Sequence, residues 1–311
     1  PLLSQGEGDM PQLIGATITR NFVNGRFIIT VATNSSLNQV RVTAKISVTQ
    51  IRGLVPVTFL SQGFNLQGAT YSGKSVLDIG TVLGVSVSDL RGLAMSNNGL
   101  IMSIADRFND AYAINLSVAD DISSTLTLIG QGVNNFAGIV SYGPMHYFDN
   151  GNKAVFINVS SGAAIKVIDL SVQYDISKSN TLFSTGNLPS SEDGFDFDAS
   201  GLVLYAIQGN DIEQYDITGM PFEANTYMFN GLTRVLTNNA TALKVAPDGL
   251  SFIVLELNAN RLRMYTMQQP NSISVIVDTG IILDVSAQTL TAKTFGLSSD
   301  GLTMFVGDAD D

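Results

Sequence analysis

Along the chain, short apolar runs alternate with short polar turns, and the pattern repeats about every fifty residues. Five copies of one unit stand out: LAMSNNGLIMSIAD (93–106), MHYFDNGNKAVFINV (145–159), FDFDASGLVLYAIQG (195–209), LKVAPDGLSFIVLEL (243–257) and FGLSSDGLTMFVGD (295–308). Each reads as an apolar strand, a polar turn ending in glycine, and a second apolar strand. The turn glycines are Gly99, Gly151, Gly201, Gly249 and Gly301, spaced 52, 50, 48 and 52 residues apart. The flanking runs are rich in Val, Ile, Phe and Tyr and partly alternate, as strands of a packed sheet do. Asn-Gly and Asp-Gly supply the positive φ that two-residue hairpin loops need, so such loops are expected here.

A third strand follows in most copies: 111–117, 165–171, 211–217 and 262–267. A more variable fourth precedes the next copy, as in TLTLIG (125–130), TYMFNG (226–231) and SVIVDTG (274–280). Four strands per period of this length predict a β-propeller blade. A helical solenoid would show a 3.6-residue period, and a parallel β-helix would have shorter coils. The expected fold is therefore all-β, a β-propeller of five to six four-stranded blades. A weaker sixth copy lies at ISVTQIRGLVPVTFLSQ (46–62), with Gly53 falling 46 residues before Gly99. The last copy reaches Asp311 after its second strand. SVLDIGTVLG (75–84), which resembles SVIVDTGIILDV (274–285), is the natural donor of a closing strand; alternatively the polypeptide continues past Asp311.

Residues 1–74 match the repeat poorly but still read as β. GRFIITVAT (25–33) is a strand, and QVRVTAKISVTQ (39–50) alternates apolar and polar positions, implying one buried and one wet face. Arg20, Arg26, Arg41, Lys45 and Arg52 make this stretch more basic than the rest. It reads either as a small N-terminal β module (1–74) attaching a propeller (75–311) to something else, or as a degenerate first blade with an arm.

Composition narrows the function classes. The 311 residues hold 16 basic and 27 acidic side chains, a net charge of −11, which argues against a nucleic-acid partner. No cysteine is present, so disulfides, thiolate metal sites and cysteine nucleophiles are excluded, and the single histidine, His146, excludes multi-histidine metal sites. Charged residues are only 14% of the chain, against about 25% in an average soluble domain, so polar uncharged side chains must cover the surface. No apolar run approaches the length of a membrane-spanning helix, and PLLSQGEGDM lacks the cationic and apolar segments of a signal peptide.

The candidate chemistry is sparse. His146, between Met145 and Tyr147, would be needed for a serine triad, but no Gly-x-Ser-x-Gly elbow accompanies it, and it reads as a satisfied strand histidine. SSDGLTMF (298–305) differs from a sialidase Asp box, because Asp300 directly adjoins Gly301 and tryptophan is absent. Paired carboxylates of a glycosidase stay open among so many acids. Acidic clusters are the most suggestive feature. SSEDGFDFD (190–198) and GDADD (307–311) place Asp193, Asp196, Asp198, Asp308, Asp310 and Asp311 where they could give calcium two or three of its six to eight oxygens. Asp248 and Asp300, each beside a turn glycine, read as turn-makers. Phe195, Phe197, Tyr205, Phe252 and Phe305 read as core. No catalytic constellation emerges, and a non-enzymatic binding protein is expected.

The segments APDGLSFIVLELNANRLRMYTM and GFDFDASGLVLYAIQGNDIEQYDIT resemble the PDG–LYV–YDL repeats of surface-layer and phage-borne propellers, over roughly residues 75–311. Repeat style and layout together resemble the vertex spikes of corticoviruses, tailless membrane-containing marine bacteriophages. That resemblance implies a virion-surface protein whose N-terminal end meets a capsid vertex protein, whose propeller binds a host-cell surface receptor, and which holds calcium. Five-fold vertex placement implies a homopentamer, without nucleic-acid binding or membrane insertion. A bacterial surface or periplasmic interaction scaffold is the alternative, with a propeller hydrolase behind it.

Overall fold

The computed structural model describes Thr17–Val23, Arg26–Ala32 and most of 64–308; outside the description lie 1–16, 24–25, 33–63, 68, 74–78, 108–109, 133–141, 159–163, 188–193, 220, 222–226, 290, 299–300 and 309–311. The chain divides into two compact units, Pro1–Pro56 and Val57–Asp311. In the first, β1 (Thr17–Val23) pairs antiparallel with β2 (Arg26–Ala32), where the sequence predicts a strand. The alternating segment 39–50 and the weak sixth copy lie outside the described residues.

The second unit opens with α1 (Ile79–Leu83) and continues entirely in β-structure. Blade 1 is β3 (Leu90–Met95), β4 (Ile101–Asp106), β5 (Ala111–Leu116) and β6 (Leu126–Gly132). Blade 2 is β7 (Tyr142–Phe148), β8 (Lys153–Asn158), β9 (Ala164–Leu170) and β10 (Ser179–Asn187). Blade 3 is β11 (Gly194–Phe197), β12 (Val203–Gln208), β13 (Asp211–Ile217) and β14 (Tyr227–Val235). Blade 4 is β15 (Ala240–Val245), β16 (Ser251–Glu256), β17 (Arg261–Gln269) and β18 (Ser272–Asp284). Each is a four-stranded antiparallel meander in chain order. The two-stranded sheet β19 (Ala292–Leu297) and β20 (Met304–Asp308) follows. First strands pack in sequence, β3 on β7, β7 on β11, β11 on β15 and β15 on β19, and β19 returns to β3. Four small sheets in such a ring make the fold a β-propeller.

The sequence encodes this packing through its middle strands. A blade has a neighbour on each face, so its second strand is buried on both and reads as a continuous apolar run. In β12, Leu204 and Ala206 join Val155 and Val167 of blade 2, whereas Tyr205 and Ile207 join Leu243, Phe252 and Val254 of blade 4. In β16, Phe252 and Val254 face blade 3, whereas Ile253 and Leu255 meet Phe295 of β19. All five aromatics expected in the core are buried.

The turns differ from the expected two-residue loops. The Gly99 amide donates to Ser96 O at 2.9 Å, and the same i→i+3 bond recurs from Gly201 to Asp198, Gly249 to Ala246 and Gly301 to Ser298. In blades 1, 3 and 4 only the glycine of this turn has positive φ, between 67 and 71°. The loop is thus a tight turn closed by a left-handed glycine, because Asn98 and Asp248 stay at negative φ and the strand pairing resumes one residue later on each side. Space fixes the glycine as well. Asp120, Tyr174 and Asn271, themselves at positive φ, donate their amides to the carbonyls of Gly99, Gly151 and Gly249. Their side chains lie where a Cβ on those glycines would point.

The proposed closing donor is corrected in part. Residues 79–83 form helix α1 rather than a strand, and 75–78 lie outside the described residues. Ile79 and Leu83, four residues apart on the helix, pack together on the apolar cluster of blade 1, and Gly84 at φ 68° ends the helix.

Gly249→Ala meets both the left-handed backbone and the Asn271 side chain, whereas Gly209 at φ 61° has open space around its missing Cβ. Both substitutions should destabilise, Gly209→Ala by about 1 kcal/mol and Gly249→Ala by about 2–3 kcal/mol. Urea unfolding followed by circular dichroism checks the order; equal midpoints would show that close approach at the turn contributes nothing.

Candidate functional site

The repeat brings one register position together from blades 2, 3 and 4. Five residues before each turn glycine stand Ala94, His146, Asp196 and Lys244, on the first strands of the four blades, and Gly296, on β19. Three of them form a polar cluster. The His146 Nε2–H donates to the Phe195 carbonyl at 2.8 Å, which leaves Nδ1 as an acceptor. The Lys244 ammonium donates to that Nδ1, reaching from β15 past the intervening β11 to β7. Asp196 Oδ1 lies 3.5 Å from the same Nδ1, and Asp196 Oδ2 accepts the Val245 amide at 2.7 Å. The imidazole meets the Phe195 ring edge-on at 4.7 Å.

Burial dominates the electrostatics. It holds His146 well below the ordinary imidazole value, helped by the Lys244 charge and opposed by the bond to Phe195. It raises the Asp196 carboxyl against the pull of Lys244 and of the Val245 and Phe197 amides. It lowers the Lys244 ammonium against the Asp196 charge. Lys244 is the least covered of the three, although its ammonium is closely enclosed. Beside them, burial first and then the charges of Asp198, Asp196 and Asp216 raise the Tyr205 hydroxyl, which stays protonated. The imidazole is held neutral between the Lys244 amino group, which donates to it, and the Asp196 carboxyl beside it. The cluster ties blades 2, 3 and 4 together, through the Lys244–His146 bond and the bonds of His146 and Asp196 to backbone groups of neighbouring blades.

Of the acids proposed to hold calcium, Asp196, Asp198 and Asp308 lie among the described residues, and each accepts hydrogen bonds from the protein. Asp196 belongs to this cluster. Asp198 closes its hairpin: Oδ1 accepts the amides of Leu202 and Val203 at 2.9 Å, and Oδ2 accepts from Asn271 Nδ2 at 3.1 Å. Ser96 and Ser298 do the same at the equivalent position, accepting the amides of Ile101 and Thr303. Asp308 accepts hydrogen bonds from the hydroxyls of Thr289 and Thr291. Asp193, Asp310 and Asp311 lie outside the described residues, and among the described residues no three His, Asp or Glu side chains converge as a metal site. Asp248 accepts the Leu250 amide, the turn-making role expected of it.

His146 and Asp196 were visible candidates, but as a lone histidine and as part of an acidic run. Lys244 was missed. The signal was the register: all three stand five residues before a turn glycine.

A second ion-pair network sits at the far end of blade 4. Glu256, almost fully buried, accepts from Arg261, Arg263 and Asn238, and Arg263 also bonds Asp278 at 2.9 Å. Burial works against the Glu256 carboxylate, yet these bonds hold its pKa below the ordinary value.

No protein-family model and no curated protein matches the sequence. Among solved structures, it is similar to a functionally unknown protein from Desulfotomaculum acetoxidans DSM 771, with 14% identity and a TM-score of 0.44. That similarity covers 72% of this chain and 64% of the other, so the chain spans less than two thirds of its length.

Replacing Asp196 with Leu leaves the Lys244 ammonium enclosed without its counter-charge and should cost about 3–5 kcal/mol, whereas Asp196→Leu with Lys244→Met should recover most of it. Denaturant unfolding of the two variants checks this, and equal losses would contradict the pairing. The His146 contribution has a defined pH window. Its folded pKa lies below 6.5, so the unfolded chain takes up the proton first and stability falls as pH drops through 6.5. Asp196 works oppositely, its raised folded pKa favouring the fold at lower pH, toward 3.8. Unfolding of His146→Gln should therefore show a flatter slope than the parent just below pH 6.5.

Proposed function

We propose that this protein is a recognition head of a virion surface: a five-bladed propeller, with β19–β20 as the fifth blade, that binds a host-cell receptor through its turns. Its N-terminal residues attach to a capsid vertex protein, where five-fold placement makes a homopentamer. Recognition, not catalysis, is the activity.

The observation that supports this reading is a set of exposed leucines at one repeat position. Leu100, Leu202, Leu250 and Leu302 each follow a turn glycine and are 37%, 40%, 41% and 72% exposed. Blade 2 carries Asn152 there, so the fold does not require an apolar residue. The first turns of blades 1 and 2 lie side by side, since Asn97 Nδ2 donates to Asn150 Oδ1 at 2.8 Å. Third turns are fastened to them through the amides of Asp120, Tyr174 and Asn271, and they add exposed Val118 and Val172. Rigid turns carrying repeated aliphatic side chains, with Asp149 and Asp248 exposed among them, form a contact surface of the kind that scaffolded loops provide.

Adsorption of fluorescently labelled protein to a panel of candidate host bacteria, with virion attachment measured in competition, tests the proposal. Saturable binding that blocks attachment is expected. The variant with all four leucines changed to Ser should lose at least tenfold in cell binding with an unchanged melting midpoint. Undiminished binding by that variant would remove this face from recognition, and absence of saturable binding across the panel would overturn the receptor reading.

A further inference from the structure

Two groups compete for one atom of His146. Its Nε2 is committed: a carbonyl only accepts, so the bond to Phe195 O fixes a proton on that nitrogen. Nδ1 therefore holds a lone pair, which takes the Lys244 bond. Asp196 Oδ1 lies 3.5 Å from the same Nδ1, an acceptor facing an acceptor. A proton on Nδ1 inverts this. The nitrogen becomes a donor, no longer receives Lys244, and has Asp196 Oδ1 in front of it. The two bonds to backbone survive the change, Nε2 to Phe195 O and Asp196 Oδ2 to the Val245 amide.

The other charged groups on the elements packed against β7 are engaged elsewhere, among the described residues. Arg91 of β3 bonds Asp89, Asp106 of β4 accepts the Asp89 amide, and Lys153 of β8 bonds Asp169. β8 sets Val155 opposite His146 in register. On β7 itself, Tyr147 donates to Tyr174 O, and Asp149 beyond the strand is exposed. Beside Asp196, Asp198 is occupied by the amides of Leu202 and Val203, and Tyr205 stands opposite Asp196 in register as a protonated hydroxyl. Asp196 and Lys244 are left to answer a charge on the imidazole.

We propose that protonation of His146 transfers Nδ1 from Lys244 to Asp196, so that acid releases the direct tie between blades 2 and 4 while blade 3 stays joined to both. The side chain set free is the least covered of the three: Lys244 is part-exposed, whereas His146 and Asp196 are 5% and 7% exposed. The exchange thus needs no unfolding. Burial and the Lys244 charge hold the protonation well below the ordinary imidazole value, which confines the released state to acid surroundings. This device is independent of the receptor reading.

His146 is the single histidine, so nitrogen NMR of the full chain with labelled histidine reports one imidazole. As pH is lowered from neutral, Nε2 should stay protonated while Nδ1 takes up a proton in one step. Lys244→Met removes the competing donor and should raise the midpoint of that step; Asp196→Asn removes the acceptor and should lower it. In the parent, the Lys244 side-chain resonance, identified by its loss in Lys244→Met, should move in the same step to the position and linewidth of an exposed lysine. Circular dichroism at each pH confirms that the chain is folded, and if Asp196→Asn does not fold, Lys244→Met and the lysine resonance decide. A Lys244 resonance unmoved through the step, midpoints shifted in the same direction by both variants, or unfolding before Nδ1 titrates would overturn the proposal.

Discussion

The structure depends on one constraint: no blade can bury its two faces alone. A four-stranded sheet with apolar residues on both sides needs a neighbour on each, and the neighbour needs the next. Leu204 and Ala206 are covered only because blade 2 is there, and Tyr205 and Ile207 only because blade 4 is. The demand ends when β19 reaches β3. At that closure the backbones run so close that a Cβ on Gly296 would meet the Leu93 side chain. Closure of the ring, more than any single hairpin, fixes the positions of the turns and of the ring interior.

The polar cluster follows from the same geometry. Corresponding residues of successive first strands meet at the ring interior, where a charge must find a partner in another blade or remain neutral. Lys244 bonds His146, and His146 and Asp196 bond the backbone of the next blade at Phe195 and Val245, while Ala94 and Gly296 hold the same register position with small residues. Under the proposed reading, contacts that join three blades leave recognition to the turns, which differ between blades. Asn152 beside four leucines at the equivalent position is such a variation.

Much of the fold was legible in the sequence. Turn glycines at near-constant spacing located each blade, and the third and fourth strands fell within a few residues of expectation. The loop type was misjudged, because Asn-Gly and Asp-Gly suit several turns and only the backbone shows which residue takes positive φ. The segment 79–83 was misjudged because a short apolar run has no periodicity to separate helix from strand. The site was less legible. Asp196 and Asp198 are neighbours in an acidic run, yet strand alternation and the turn separate them: one belongs to the ring interior and the other closes a hairpin. Partners such as Lys244 lie 48 and 98 residues from Asp196 and His146, and only register relative to the glycines links them.

The central claim is that β19 closes the ring against β3, and a cross-link measures it directly. The chain contains no cysteine, so a pair introduced as Leu93→Cys and Gly296→Cys can form only one intramolecular disulfide. Mild oxidation of the monomer, read by non-reducing electrophoresis and peptide mass mapping, should join the two positions nearly completely. Failure of the pair to cross-link in the folded monomer would contradict a closed ring and leave β19–β20 outside the propeller.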